Sequence, residues 1–272
     1  MPLKDKTIAI IGAGNMGEAL VRGLLGRGAV SARQLVAADV RPQRLELFAR
    51  QFGIPVTGDN ALAVGKADIV LLAVKPQQMS ELLAELRAAI DRSKLIISIA
   101  AGVPTTRIER ELGDTTRVVR VMPNTPAQIG EGAAALCKGR HAADEDLAVA
   151  DAILSAVGTT VRTDESFLDA VTALSGTGPA YLFLIAEAMV RAGMELGLPH
   201  EMARKLTLQT ILGAAKLMIE SGEEPSELRR KVTSPNGTTE AAMKVMAERG
   251  LVQIFVEAVK AAARRSEELS GV

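Results

Sequence analysis

Two patterns of apolar and polar positions divide the chain. Up to about residue 163, short runs that are apolar at successive positions, "TIAII", "QLVAAD", "ADIVLLAV", "KLIISIA" and "TRVVRVM", alternate with amphipathic or Ala/Leu-rich stretches. A strand with no polar face is covered on both sides, and such strands separated by helices form a parallel sheet with crossover helices. After "GTTVRTDES" the apolar positions recur with a period near 3.6, punctuated by Gly and Pro at "SGTGPA", "LGLPHE", "SGEEPSE" and "SPNGTT". The expectation is a doubly wound α/β domain over 1–163 and an all-α domain over 164–272, with no internal repeat and no low-complexity linker between them.

The first run leads directly into "GAGNMGEAL". Gly12, Gly14 and Gly17 make G-x-G-x-x-G between a strand and a helix, where the three glycines serve a tight turn, close approach to a pyrophosphate and close helix–strand packing. The α/β domain is therefore expected to be Rossmann-like. Asp39 ends the second run, where a carboxylate accepts from the adenine ribose 2′-hydroxyl of NAD, while Arg41 and Arg44 just beyond it suit the 2′-phosphate of NADP. Ligands of open α/β sheets lie beyond the carboxyl ends of strands, which brings in "AVKP" (Ala73, Val74, Lys75, Pro76) and "AAG" (Ala100, Ala101, Gly102) as candidates for the nicotinamide half. Lys75 has three readings: a catalytic group, a phosphate or ribose contact, or a solvated lysine. Asn60 is read as a helix cap or a cofactor contact, and Asn15 and Met16 share the glycine turn.

Composition narrows the partners. Lys plus Arg equals Asp plus Glu at 32 each, and the chain has one Tyr and no Trp, so neither a basic field nor stacking platforms favour nucleic acid. Cys137 is the only cysteine, which excludes an intrachain disulfide and a cysteine-based metal cluster; no metal site is expected. With His141 and His200 outside any nucleophile motif, Cys137 reads as packing. No apolar run approaches the roughly 20 residues of a membrane helix, so a cytoplasmic protein with no membrane partner is expected.

Late in the chain stands "VTSPNGTTEAA". Pro235 fixes one φ, Asn236-Gly237 tolerates positive φ, and a helix follows whose N-terminus favours an anion. On these residues alone the segment is an anion cradle or an ordinary capped turn. "SGTGPAYLF", with Gly176, Gly178 and Pro179, either lines a site or lets two helices pack closely, and Glu187 beyond it is a candidate buried acid.

In order and spacing, "GAGNMGEAL", "AVKPQ", "RVMPNTPAQIGEG", "ALSGTGPAY" and "VTSPNGTTEAA" resemble pyrroline-5-carboxylate reductase over essentially the whole chain. The resemblance implies NADPH or NADH as cofactor and a small-molecule substrate, the cyclic imine that is reduced to proline. It implies a helical dimerisation domain, a homodimer and dimers assembled into a larger ring such as a decamer. Carried over by position, Ser234 and the backbone around Gly237 and Thr238 hold the substrate carboxylate, and the Thr239 hydroxyl meets the ring nitrogen as the catalytic contact. Asn236 stands where some relatives have a second glycine.

No compelling general acid of the kind a ketone reductase needs is present, whereas an imine can bind already protonated. A β-hydroxyacid dehydrogenase shares the architecture but looks for a lysine soon after the Gly-rich turn of the helical domain, where this chain has "PAYLFLIAEAM". A non-catalytic nucleotide-binding interaction protein would keep "GAGNMG" without needing "TSPNGTT".

Overall fold

The computed structural model describes residues 2–270. Each apolar run divides its side chains between two faces, as the two-residue period of a strand requires. Ile8, Ile10, Leu71 and Ile97 enter one core with Leu20, Leu24, Phe48 and Ile153, whereas Ala9, Ile11, Leu72 and Ile96 enter a second with Val64, Leu83 and Ile108. The sheet thus has a core on each face.

Its strands are β1 (Ile8–Ile11), β2 (Leu35–Ala38), β3 (Val56–Thr57), β4 (Ile69–Leu72), β5 (Leu95–Ser98), β6 (Arg117–Met122), β7 (Gly132–Lys138) and β8 (Gly158–Arg162). They lie in the order β3-β2-β1-β4-β5-β6-β7-β8. The first six are parallel, in the doubly wound order 3-2-1-4-5-6, while β7 runs antiparallel to β6 and β8 parallel to β7. The crossovers carry α1 (Asn15–Gly26), α2 (Pro42–Phe52), α3 (Asn60–Gly65), α4 (Met79–Leu86), α5 (Thr105–Leu112) and α6 (Asp144–Leu154).

Three strands have no counterpart among the five apolar runs. β3 is two residues long, β7 is "GAAALCK", rich in a residue with little β preference, and β8 "GTTVR" is mostly exposed. They add to the sheet through pairing that no local pattern announces.

Beyond β8 come α7 (Leu168–Val171), one π turn (Thr172–Gly176), α8 (Gly178–Glu195), α9 (His200–Ser221), α10 (Pro225–Lys231), α11 (Thr238–Glu248) and α12 (Leu251–Ser270). By compactness the chain forms two units. One runs to Thr177 and takes in the chain again from Ala262; the other is Gly178–Ala261. Within the first, Glu165 caps α5, accepting from the Thr105 N–H at 2.8 Å and the Thr105 hydroxyl at 2.6 Å, and meets Arg120 at 3.0 Å. The end of α12 belongs to this unit too, with the Ser266 hydroxyl donating to Asp169 at 2.5 Å.

The second unit has almost no interior of its own. α8 and α9 approach through Gly193 and Ala203, where a Cβ on the glycine would lie 3.0 Å from that of Ala203, and Tyr181 meets Phe255 edge-on with centroids 6.4 Å apart. No residue of α8, α10 or α11 is buried, and in α9 only Ala203 and Thr207 are. Phe183, Leu184, Ile219 and Val252 are 63%, 66%, 81% and 72% exposed. So much bare apolar surface on one small helical layer marks a face that another body covers.

The expectation that no apolar stretch is long enough to span a bilayer needs correction. The helical stretch Glu165–Glu195 passes by length and composition, with a window of mean hydropathy 1.3 that is only 6% buried. Ser175, Thr177 and Pro179 interrupt the apolar run, and the average over the window still passes. A helix covered by a second copy of the chain meets the same test. Light scattering at micromolar concentration is expected to give a dimer or a larger multiple, and a stable monomer would contradict this reading of the helical surface.

Candidate active site

The crevice lies where the strand order reverses, beyond the carboxyl ends of β1 and β4, and has a volume of about 910 Å³. Its architecture begins with the glycines. Gly12 has φ +108°, and a Cβ there would sit 2.6 Å from the Ala73 carbonyl oxygen, so the turn after β1 approaches the end of β4 as only glycine permits. A Cβ on Gly17 would collide with the Gly12 carbonyl, which lets α1 pack down on the turn. Gly14 differs from both: a Cβ there would meet nothing within 4 Å. The space beside Gly14 is open to a ligand, and Gly14 caps α1 with no side chain to satisfy the helix's first N–H groups. Open backbone at a helix start fits a pyrophosphate.

Asp39 locks the turn in place. Its carboxylate accepts from the Ala13 N–H at 2.8 Å, from the Arg41 N–H at 2.9 Å, and from the Arg41 guanidinium through two bonds of 2.9 Å. Burial pushes this carboxyl upward, and the Arg41 guanidinium with the Arg41 and Ala13 N–H groups outweighs it, so its pKa falls below the usual carboxylate value. Four donors fill the lone-pair positions of a carboxylate. A ribose hydroxyl reaching Asp39 therefore has to displace Arg41, whose side chain is 56% exposed and free to turn outward. Arg44 points elsewhere, donating to the Ala13 carbonyl at 2.5 Å and pairing with Glu18 at 2.8 Å.

Of the residues singled out in the sequence, the crevice is lined by Gly12, Gly14, Asn15, Met16, Asp39, Asn60, Ala73, Val74, Lys75 and Ala101. Gly17, Pro76, Ala100 and Gly102 are not on its wall. Pro76 opens a 3-10 turn, Ala100 is buried, and Gly102, at φ +69°, turns where Leu269 lies 3.6 Å from its would-be Cβ. Asn60 is not the cap of α3; Asp59 is, accepting from the Leu62 N–H at 2.9 Å, while Asn60 donates to Glu85 at 3.0 Å. The far end of the crevice is made by Ile99, Met122, Pro123, Asn124 and Thr125, which the sequence left unassigned, and by Gly176, which the sequence read as either lining a site or letting two helices pack. Their quoted phrases, "RVMPNTP" and "SGTGPA", were the available signal.

Ser234 and Gly237 fall in the second unit, in the turn before α11, and Thr238 and Thr239 open α11 itself. The positive φ belongs to Asn236, at +59°, an αL conformation that asparagine tolerates. Gly237 has ordinary φ and is needed for space, since a Cβ there would strike the Ser234 hydroxyl. Glu240 reaches back to accept from the Asn236 N–H at 2.8 Å, fixing the turn. Gly237 caps α11 without a side-chain bond, so the N–H groups of its first turn have no side-chain cap.

Of two other candidates, Glu187 changes and Cys137 keeps its reading as packing. Glu187 is exposed within this chain rather than buried. Cys137 is buried on β7, and burial above all, with the Glu165 carboxylate nearby, pushes its thiol up to about 12. A thiol that stays protonated is no nucleophile. Among the described residues no cluster of His, Cys, Asp or Glu could hold a metal ion.

A parallel sheet in the 3-2-1-4-5-6 order, with a glycine turn at its switch point and an acid at the end of β2, defines a dinucleotide-binding protein of the Rossmann class. The comparisons carry this to a family. A family model described as pyrroline-5-carboxylate reductase dimerisation matches residues 165–269, and one described as NADP oxidoreductase coenzyme F420-dependent matches 7–102. A pyrroline-5-carboxylate reductase of Pseudomonas aeruginosa is 47% identical over 97% of this chain and 96% of its own length, and one of Methanosarcina acetivorans is 45% identical over 98% and 99%. Among solved structures, a pyrroline-5-carboxylate reductase from Coxiella burnetii superposes with a TM-score of 0.92 at 39% identity, covering 97% of this chain and 98% of that one. The enzyme of Plasmodium falciparum, solved with NADP bound, gives 0.88 at 27% identity over 98% and 99%. The chain belongs to the pyrroline-5-carboxylate reductase family.

Because the Asp39 pKa is lowered on folding, its contribution to stability is present above the unfolded carboxylate value of about 3.9 and is lost as pH falls through the lower folded value. Asp39→Asn is expected to lower stability by about 1–2 kcal/mol at pH 7 and pH 5, the exposed Arg41 partner keeping the figure modest. The gap between variant and wild type should close only below about pH 4. Urea unfolding of both proteins across that range checks it.

Proposed function

We propose that this protein reduces the imine 1-pyrroline-5-carboxylate to L-proline with NADPH or NADH. The observation that carries the proposal is the pairing of the crevice at the β1 turn with full-length similarity to pyrroline-5-carboxylate reductases. Residues 1–163 hold the cofactor and 164–272 form the dimerising, substrate-holding part, a division supported by the dimerisation match over 165–269. When bound, the cofactor supplies a hydride. Gly12, Gly14, Asn15 and Met16 receive its pyrophosphate, Asp39 and Asn60 its adenosine half, and Ala73, Val74, Lys75 and Ala101 its nicotinamide half, while Gly17, Pro76, Ala100 and Gly102 support these segments from behind the wall. Arg41 answers a 2′-phosphate by turning away from Asp39, so this pair sets the balance between NADPH and NADH.

The substrate is an anion with a ring nitrogen. Ser234, Gly237 and the Thr238 backbone hold its carboxylate at the start of α11, where uncapped N–H groups favour negative charge. The Thr239 hydroxyl meets the ring nitrogen. An imine that binds protonated becomes a neutral amine on hydride delivery, so no alkoxide develops and the chain's task is orientation and exclusion of water. The second copy that covers the helical surface makes a homodimer, dimers join into a ring such as a decamer, and the enzyme works in the cytoplasm without a membrane or nucleic-acid partner.

The test is spectrophotometric. The purified protein is expected to oxidise NADPH or NADH only when pyrroline-5-carboxylate is present, and folded protein that turns over with neither cofactor would sink the proposal. Thr239→Val keeps the side chain's shape and leaves the nitrogen unpaired, a loss of about 1–3 kcal/mol or roughly ten- to hundredfold in kcat/KM. The reduced cofactor should bind this variant as it binds wild type.

A further inference from the structure

The helical bonding of the chain breaks between the π turn Thr172–Gly176, where the Thr177 N–H donates five positions back to Thr172 at 2.8 Å, and the start of α8. The carbonyl of Ser175 lies at this break, where the last carbonyls of a helical turn have no helical donor. Asn124, 51 residues away in sequence, supplies the missing donor: its Nδ2 donates to the Ser175 carbonyl at 3.1 Å. Its Oδ1 accepts from the Ala133 N–H, on β7, at 2.9 Å. A carbonyl can only accept and an N–H can only donate, so the two partners fix which way the amide points. Asn124 stands at the N-cap of the 3-10 turn Thr125–Ile129, a position where asparagine commonly caps its own helix, yet it makes no such bond. Its side chain is spent on joining three separate segments.

Two of the three segments meet at the far end of the crevice. Met122, Pro123, Asn124, Thr125 and Gly176 line it. Gly176, the residue after the held carbonyl, has no room for a Cβ because the Met122 methyl group fills that place. With the pyrophosphate turn at Gly12–Gly17 and Asp39 beyond β2 at the other end, this end receives the nicotinamide ring. A π turn inside a helical run is itself a feature that recurs at functional sites.

We propose that Asn124 is a positioning residue for hydride transfer: by holding the Ser175 carbonyl at the break between the π turn and α8, it sets the wall against which the nicotinamide ring is aligned. The inference rests on the reductase reading for its substrate, although its first readout does not require turnover. The reduced nicotinamide fluoresces, and its enhancement on binding reports how the ring is held.

The experiment compares Asn124→Ala and Asn124→Asp with wild type. Asn124→Asp keeps the volume and the acceptor for Ala133 but replaces the donor to Ser175 with a charged carboxylate oxygen that the Ser175 carbonyl repels, so it remains informative if the alanine variant folds poorly. Expected for both Asn124 variants are a diminished fluorescence enhancement of bound NADPH, an NADPH Kd within about threefold of wild type, and a fall in kcat of about ten- to hundredfold. The primary isotope effect with cofactor deuterated at the transferred position should rise as hydride transfer becomes rate-limiting. Wild-type fluorescence and kcat in Asn124→Asp would overturn the proposal. If wild-type protein fails to reduce the imine, the reductase reading falls, while the fluorescence comparison still decides the role of Asn124.

Discussion

The approach of the turn after β1 to the end of β4 is the constraint on which the crevice depends. Backbone meets backbone there: Gly12 at φ +108° leaves no room for a side chain beside the Ala73 carbonyl, and Gly17 none beside Gly12. That closeness brings the start of α1 to the switch point of the sheet, and Asp39 holds it there by accepting from the Ala13 N–H. An acid at the end of β2 thereby has a structural task before any ligand arrives. Its partner Arg41 keeps it ionised, and in the proposed cofactor arrangement this pair would couple the stability of the turn to the choice of cofactor through one carboxylate.

A different constraint governs the helical unit, which has too few buried residues to stand as a core of its own. Burial of apolar surface is the main favourable term in folding, and a unit in which no residue of α8, α10 or α11 is fully buried within the chain has little of it. The second copy of the proposed homodimer would supply what is missing. The apolar helix that passes the membrane test by composition is accounted for in the same way, since the match over residues 165–269 is to a dimerisation family.

Much of this was legible in the sequence because the signals were local. Uninterrupted apolar runs marked β1, β2, β4, β5 and β6, and the glycine spacing after the first of them marked the turn. What escaped notice depends on partners distant in the chain. β7 is an alanine-rich segment that becomes a strand by pairing with β6, and β8 is a mostly exposed segment that becomes one by pairing with β7. Asn60 looked like a cap, and the preceding Asp59 took that place. The far end of the crevice was signalled only by the phrases "RVMPNTP" and "SGTGPA", and nothing near Asn124 in sequence reveals that its amide answers a carbonyl at Ser175.

Gly14 offers the most direct test of the crevice as a cofactor site, because it is the one glycine of the three whose missing side chain faces open space. Its φ of −76° and extended ψ suit an ordinary residue, so Gly14→Val should leave the fold and the melting temperature as they are. Titration of NADPH into this variant, followed by the fluorescence of the bound nicotinamide, is the measurement. If the open space beside Gly14 receives the pyrophosphate, the folded variant shows no binding at concentrations that saturate wild type. Wild-type affinity in a folded Gly14→Val protein would place the cofactor somewhere other than this turn.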